Sequence, residues 1–269
     1  MWFQIRLSSQ IQRGGFEFAI RRIRRRVPRY AQALQTAHGY CGAHVPVVHL
    51  YDAPMSIIVM RYLEPPHIIL RGGIIAGTVY PHLADHVGEY LATTLFGSSA
   101  LSVGCEALRA ARQAFGQNEA MCALTEQVIF TEPYAKASNN HWTAPQLDDD
   151  AAALRSDGEL KGAICALKSK FACDGAALLH GDLHTGSIMC TESTTFVIDH
   201  EFAFYGPMGF DVGAFLANLL LARVSSTHFI TCHSRESMLT LWVMYTCCTR
   251  ALRDGQTLCG GGWLERLET

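Results

Sequence analysis

The residues of this chain best placed to do chemistry are three carboxylates and the polar loop that leads to them. The loop is His180-Gly181-Asp182-Leu183-His184-Thr185-Gly186-Ser187, with two glycines, and it follows a short apolar run at 176–179. Residues 187–190 and 195–199 read as strands joined by the turn-like Thr191-Glu192-Ser193-Thr194, a β-hairpin. Such a hairpin brings Asp182, just before its first strand, close to Asp199, at the end of its second. Glu201 lies two residues on, so an extended chain points it to the same side as Asp199. Three carboxylates held together repel and raise one another's pKa. A hard divalent cation such as Mg2+ removes that conflict, and Mg2+ prefers one or two carboxylates plus phosphate oxygens. From spacing alone, the same acids serve equally as caps and turn residues on a surface hairpin. Zinc on His180 and His184 is disfavoured, because an i, i+4 pair needs a helix and Gly181 opposes one.

The elements that must position this loop are legible around it. Residues 45–50 and 56–63 are apolar and β-branched and read as two strands about the turn Asp52-Ala53-Pro54. Glu64-Pro65-Pro66 ends the second strand, since each proline fixes its own φ and biases its predecessor away from helix. That segment reads as a hinge between two lobes. Residues 30–38 are good helix formers with Gly39 as a stop. From residue 81 to 115 the pattern is helical, with Leu83, Val87, Tyr90, Leu91, Thr94 and Leu95 at spacings of three and four. Asp148-Asp149-Asp150 opens a further helix, where its dipole favours acids. That helix is expected to run through Leu154, Leu160, Ile164 and Leu167 to Asp174-Gly175.

Composition narrows the class. The chain has 269 residues, 49% of them apolar and 17% charged, with a net charge of −2. That balance excludes disordered and collagen-like chains. No apolar run approaches the roughly 18–20 residues of a membrane span; the best, at 215–222, contains Asn218. Ten cysteines with no C-x-x-C spacing read as free thiols in a reducing compartment rather than as a zinc site or a secreted disulfide scaffold. Residues 1–30 hold eight arginines and one acid, Glu17. No aromatic-basic interleaving continues from them into a domain, so a solvated arm is preferred to a targeting segment or a nucleic-acid-binding arm.

The loop at 180–189 resembles the catalytic loop of the protein-kinase-like small-molecule kinases, including the aminoglycoside and choline kinases. The longer run Asp199-His200-Glu201-Phe202-Ala203-Phe204-Tyr205-Gly206-Pro207-Met208-Gly209-Phe210-Asp211 resembles the methylthioribose kinases of methionine salvage. Residues 60–71 and Phe130-Thr131-Glu132-Pro133-Tyr134 resemble the same family, and the resemblance covers roughly 43–222. It implies an α+β, protein-kinase-like fold: a truncated N-lobe at 1–63, joined by the hinge to a mainly helical C-lobe at 64–269. It also implies transfer of the ATP γ-phosphate to the 1-hydroxyl of 5-methylthioribose, with ATP and Mg2+ as cofactors. Asp182 stands at the position of the catalytic base that binds, orients and deprotonates the sugar hydroxyl. Asp199 stands at the metal-binding aspartate, within the Asp-x-Glu variant known in this family. Ser187 stands where protein kinases carry a metal-binding Asn, and Glu201 supplies the ligand that Ser187 does not. Asp199, His200 and Glu201 are thereby implied in nucleotide binding, and Asp199 and Glu201 as the metal ligands. The backbone of Met60, Arg61, Tyr62 and Leu63 would hydrogen-bond adenine. Asp211 resembles the helix-start aspartate that braces the catalytic loop, with a plain N-cap as the alternative. A cytoplasmic homodimer is expected, since nothing in the sequence exports it and methylthioribose kinases tend to be dimers; no membrane or nucleic-acid partner is expected.

Two parts of the pattern are missing. Such kinases grip phosphate with a Gly-rich loop and a strand lysine upstream of the hinge. Here no lysine precedes Lys136, and the only early glycine pair is Gly14-Gly15. The family's adjacent substrate-binding arginines have no counterpart in Arg250 and Arg253. A catalytically impaired kinase-fold binding protein is therefore the rival expectation. A related sugar, choline or aminoglycoside kinase is disfavoured by the 205–211 run.

Overall fold

The computed structural model describes residues 16–225, Gln117 excepted. Gly14-Gly15, Arg250 and Arg253 lie outside the described residues.

The first helix, α1 (Phe16–Tyr40), corrects the expectation of a helix confined to 30–38. Arg, Ala, Leu and Gln favour helix along its length, and its C-terminal half is core: Ala31, Ala33, Leu34 and Ala37 are buried. The helix also continues through Pro28. A proline inside a helix costs about 3 kcal/mol, which burial of Leu34 and its neighbours offsets at about 1.5–3 kcal/mol for a leucine.

Strands β1 (Val48–Asp52) and β2 (Ile57–Met60) form the expected antiparallel hairpin, with Asp52 opposite Ile57. The Asp52 carboxylate accepts the Met55 N–H at 2.8 Å and closes the turn. The linker then runs to β3 (Ile68–Ile69), which joins the sheet of β5 (Ile188–Cys190) and β6 (Thr195–Val197) in the order β3-β5-β6. The predicted second hairpin is therefore present, and the linker feeds directly into its sheet. Helix α2 (Leu70–Ile75) follows, and the Arg71 N–H donates to the Thr185 carbonyl at 3.0 Å.

Helix α3 (Leu83–Leu91) passes into a wider turn at Ala92–Phe96. Val87, Tyr90, Leu91, Thr94 and Leu95 are buried, as their spacing predicts. The short α4 (Ala100–Val103), then α5 (Cys105–Phe115) and α6 (Glu119–Phe130) continue the helical layer. The single helix expected from 148 to 174 is two: α7 (Asp148–Ser156) and α8 (Gly158–Cys173). Asp157 stands between them in extended backbone, and its side chain accepts the Leu160 N–H as a fresh N-cap at 2.8 Å. Strand β4 (Ala177–Leu179) pairs with β7 (Phe204–Gly206), and α9 (Gly209–Ser225) closes the described chain. No described helix is long and apolar enough to cross a membrane. The six described cysteines are free.

One core holds these parts together. Leu34, Ala37 and Val45 from the N-terminal segment share a buried cluster with Leu70, Val87, Tyr90, Phe171, Leu179, Leu183, Val197 and Phe215. His44 ties that segment to β6: its carbonyl accepts the Val197 N–H at 2.8 Å, and its Nδ1 meets the Thr195 carbonyl at 3.0 Å. Its Nε2 lies 3.4 Å from Glu89 on α3, and its ring centroid is 4.6 Å from that of His86. Burial, with His44 and His82 adding to it, pushes His86 below its ordinary 6.5, against the pull of Asp85 and Glu89. His200 is pushed further in the same direction by burial and by His180. An unfolded chain takes up protons at these rings below about 6.5 that the folded chain refuses. Stability is therefore kept above that pH and lost as pH falls through it. Thermal unfolding followed from about pH 7.5 to about 5.5 should show the midpoint dropping, and His86→Gln should flatten part of the drop. A His86→Gln profile as steep as the parent's would remove His86 from the acid response.

Candidate active site

The loop after β4 is held from beneath by one carboxylate. Asp211, in the first turn of α9, is buried and accepts the N–H of His180 at 2.6 Å and of Gly181 at 3.0 Å. Burial pushes its pKa up from the usual 3.8; His180 and the two backbone hydrogen bonds pull it back, while Asp182 adds to the rise. Hydrogen bonds to an ionised acceptor are worth about 1.5–3 kcal/mol each, enough to retain a buried carboxylate here. The loop-bracing role expected of Asp211 is what these bonds perform.

His180 then joins the two halves of the site. Its Nδ1 accepts the Asp182 N–H at 3.2 Å, which places the ring proton on Nε2, facing the Ile198 carbonyl at 2.8 Å. One buried ring thus pins the backbone of Asp182 and of the residue before Asp199. The Ile198 N–H also donates to the Ser187 carbonyl at 2.9 Å. His180 and His184 are not a helical pair: His184 Nδ1 accepts the Gly186 N–H at 2.9 Å, and its Nε2 lies 3.6 Å from the Asp182 carboxylate. Ser187 is buried, and its hydroxyl donates to the Asp182 carbonyl at 3.0 Å. It braces the loop from within.

Beyond Ile198 the chain does not stay extended. Asp199 adopts the left-handed conformation, φ 70° and ψ 46°, and residues His200–Phe202 wind into a 3-10 turn. A left-handed L-residue costs about 1–2 kcal/mol, so surrounding contacts must maintain it. The 3-10 turn, and not strand alternation, therefore sets where Glu201 stands relative to Asp199. Among the described residues no three His, Cys, Asp or Glu side chains are grouped to hold a metal ion, which corrects the expected convergence of Asp182, Asp199 and Glu201. What the turn does present is two carboxylates two residues apart, a hard-oxygen donor set of the size Mg2+ takes beside phosphate oxygens and water. His200 itself faces inward. It is buried, its ring centroid lies 4.5 Å from that of His180, and its Nε2 meets Tyr90 Oη at 3.1 Å. Its Nδ1 is buried without a hydrogen-bond partner.

In the linker, Leu63 is buried while Arg61 and Tyr62 are exposed. The Arg61 N–H donates to the Val47 carbonyl at 2.9 Å, so this donor is engaged within the N-terminal hairpin. The Arg61 guanidinium lies 4.7 Å over the Phe196 ring of β6, coupling the linker to the strand that leads to Asp199.

Residues 11–229 match the phosphotransferase enzyme family, APH. The chain belongs to that family. Its mixed helix and sheet architecture is thereby the α+β, kinase-like fold expected from the sequence. Methylthioribose kinase 1 of Oryza sativa subsp. japonica is 51% identical over 216 residues, 80% of this chain and 50% of that protein. The methylthioribose kinase of Escherichia coli O45:K1 (strain S88 / ExPEC) is 40% identical over 228 residues, 81% of this chain and 54% of that protein. The chain thus spans about half the length of these relatives. A solved choline/ethanolamine kinase family protein from Mesorhizobium loti aligns with a TM-score of 0.40 and 14% identity, over 88% of this chain and 74% of that one; the fold assignment rests on the family match.

Two residues of this candidate site were not legible in the sequence. Tyr90 read as one apolar position of a helix face, and Asn118 read as nothing. Asn118 carries the signal of a helix N-cap, and nothing local shows that its side chain turns elsewhere.

Gly181 yields the sharpest structural test. Its φ is +80°, and a Cβ there would collide with the Phe202 carbonyl. Gly181→Ala should lower stability by at least about 1–2 kcal/mol from conformation alone, read as a reduced urea midpoint. A midpoint equal to the parent's would mean that the 180–187 loop and the 200–202 turn do not approach this closely.

Proposed function

We propose that this chain is a methylthioribose kinase, moving the γ-phosphoryl group of ATP to the 1-hydroxyl of 5-methylthioribose. The observation that carries this is the His180 ring, which holds the backbone of Asp182 and that leading to Asp199 as one unit, in a chain about half identical to a protein bearing that name. Asp182 binds and orients the sugar hydroxyl and takes its proton as oxygen bonds to phosphorus. The bond from that phosphorus to the leaving ADP oxygen breaks in the same displacement. Positioning supplies most of the acceleration in phosphoryl transfer, and the Asp211 and Ser187 bonds fix the loop that does the positioning. Asp199 and Glu201 would hold Mg2+, with His200 buried between them as the anchor of their turn. When bound, Mg2+ neutralises charge on the phosphate oxygens. Adenine would lie along the backbone of Met60, Arg61, Tyr62 and Leu63, where the Arg61 N–H is already engaged by the Val47 carbonyl. The reading carries with it a cytoplasmic location and a homodimer.

A second reading, a kinase-fold protein that binds nucleotide without efficient turnover, is favoured by one observation: the first lysine is Lys136. Loss of an electrostatic clamp on the transferring phosphate costs about 10²–10³ in rate.

Titration calorimetry with MgATP and a coupled assay of ADP release with methylthioribose present test both. Asp182→Asn should leave MgATP affinity nearly unchanged and lower turnover by about 10²–10⁴. Asp199→Asn should abolish the Mg2+-dependent part of nucleotide binding. Parent turnover in the ordinary range of about 1–100 s⁻¹ would reject the second reading. MgATP binding with turnover at least about a thousandfold lower would favour it, and a parent that binds no nucleotide would contradict both.

A further inference from the structure

Asn118 opens α6, the position where asparagine ordinarily caps a helix with its own side chain. It does not do so here: no side-chain hydrogen bond caps α6. Its carbonyl starts the helix, accepting the Met121 N–H at 3.0 Å and the Cys122 N–H at 2.9 Å. The side chain is turned away and buried, and its Nδ2 donates to the carbonyls of Glu201 at 2.7 Å and Ala203 at 3.3 Å. Those carbonyls belong to the turn that follows the left-handed Asp199. A backbone hydrogen bond crosses that turn, from the Ala203 N–H to the His200 carbonyl at 3.2 Å. From the other side it is met by Tyr90 Oη at His200. Two helices far apart in sequence thus grip a short, strained turn, and the Asn118 grip falls on Glu201 itself.

We infer that Asn118 is a positioning residue for the Asp199–Glu201 pair: it fixes the turn so that both carboxylates face a phosphate-bound divalent cation, without contacting that cation. This rests on the metal role given to Asp199 and Glu201 under Proposed function. The chemistry demands an amide. Two carbonyl oxygens need two N–H donors on one nitrogen, which asparagine supplies; a carboxylate of the same shape sets oxygen against oxygen. Partners that orient metal-binding carboxylates from behind typically change metal affinity about 10–100-fold when removed.

The test compares ATP affinity with and without Mg2+ in the full chain, for the parent, Asn118→Asp, Asn118→Leu and Asn118→Gln. The ratio of the two affinities should fall about tenfold or more in Asn118→Asp and Asn118→Leu. Affinity for metal-free ATP should not change, and Asn118→Gln, which keeps both donors, should recover part of the ratio. A residue with only a structural role would lower the melting temperature and leave the ratio alone. An unchanged ratio in a folded Asn118→Asp or Asn118→Leu chain overturns the inference. Where those variants do not fold, the side-chain amide resonances of Asn118 in the 15N-labelled parent decide. They should be protected from solvent exchange and should shift when Mg2+ is added to the ATP-bound protein; fast exchange, or no shift, overturns the inference. A parent whose ATP affinity ignores Mg2+ overturns the metal reading and this inference together, whereas a responsive parent with equally responsive variants overturns this inference alone.

Discussion

The buried carboxylate of Asp211 is the interaction on which the site depends. It stands at the start of α9 and holds the first two amides of the 180–187 loop. Everything downstream inherits that placement. With His180 and Gly181 fixed, the His180 ring lies where it can take the Asp182 N–H on one nitrogen and reach Ile198 with the other. With Ile198 fixed, the chain turns at Asp199 and brings the Phe202 carbonyl over Gly181, close enough that only a residue without a Cβ fits there. The cost of burying the charge appears in the upward push on its pKa. The backbone amides that compensate it are the ones the site needs held.

Packing explains why this arrangement can be rigid. α1, β6, α3 and the 180–187 loop share one apolar cluster, so Leu34, Val197, Val87 and Leu183 belong to a single core. The turn at 200–202 lies between polar contacts from α3, through Tyr90, and from α6, through Asn118. Loops usually move more than the elements they connect. Here the two loops that carry the candidate acids are each tied to a helix by buried hydrogen bonds, and His180 ties them to each other.

Much of this was legible in the sequence because it rests on local chemistry. The two hairpins follow from β-branched runs and turn residues, and the helix through Val87, Tyr90 and Leu95 from its period. The loop at 180–187 and Asp211 were recognisable from the family pattern. What was not legible depends on contacts between distant residues. Glu201 could not be placed, because alternation presumes an extended chain and the left-handed Asp199 ends it. Asn118 went unread, because its partners lie more than eighty residues away. The break at Asp157 carries a local signal, Ser156-Asp157-Gly158, which the apolar spacing on both sides outweighed. The helical start at Phe16 was masked by a run of arginines that read as a solvated arm.

The central claim is that one carboxylate organises the 180–187 loop, and amide hydrogen exchange at His180 and Gly181 tests it most directly. In Asp211→Asn a side-chain N–H₂ replaces one acceptor and faces an amide it cannot satisfy. Two hydrogen bonds to an ionised acceptor, at about 1.5–3 kcal/mol each, correspond to a loss of protection of at least about tenfold at these amides. The β1–β2 amides, which have no contact with Asp211, should show a smaller change. Protection at His180 and Gly181 equal to that of the parent would contradict the account, and the organising role would pass to His180.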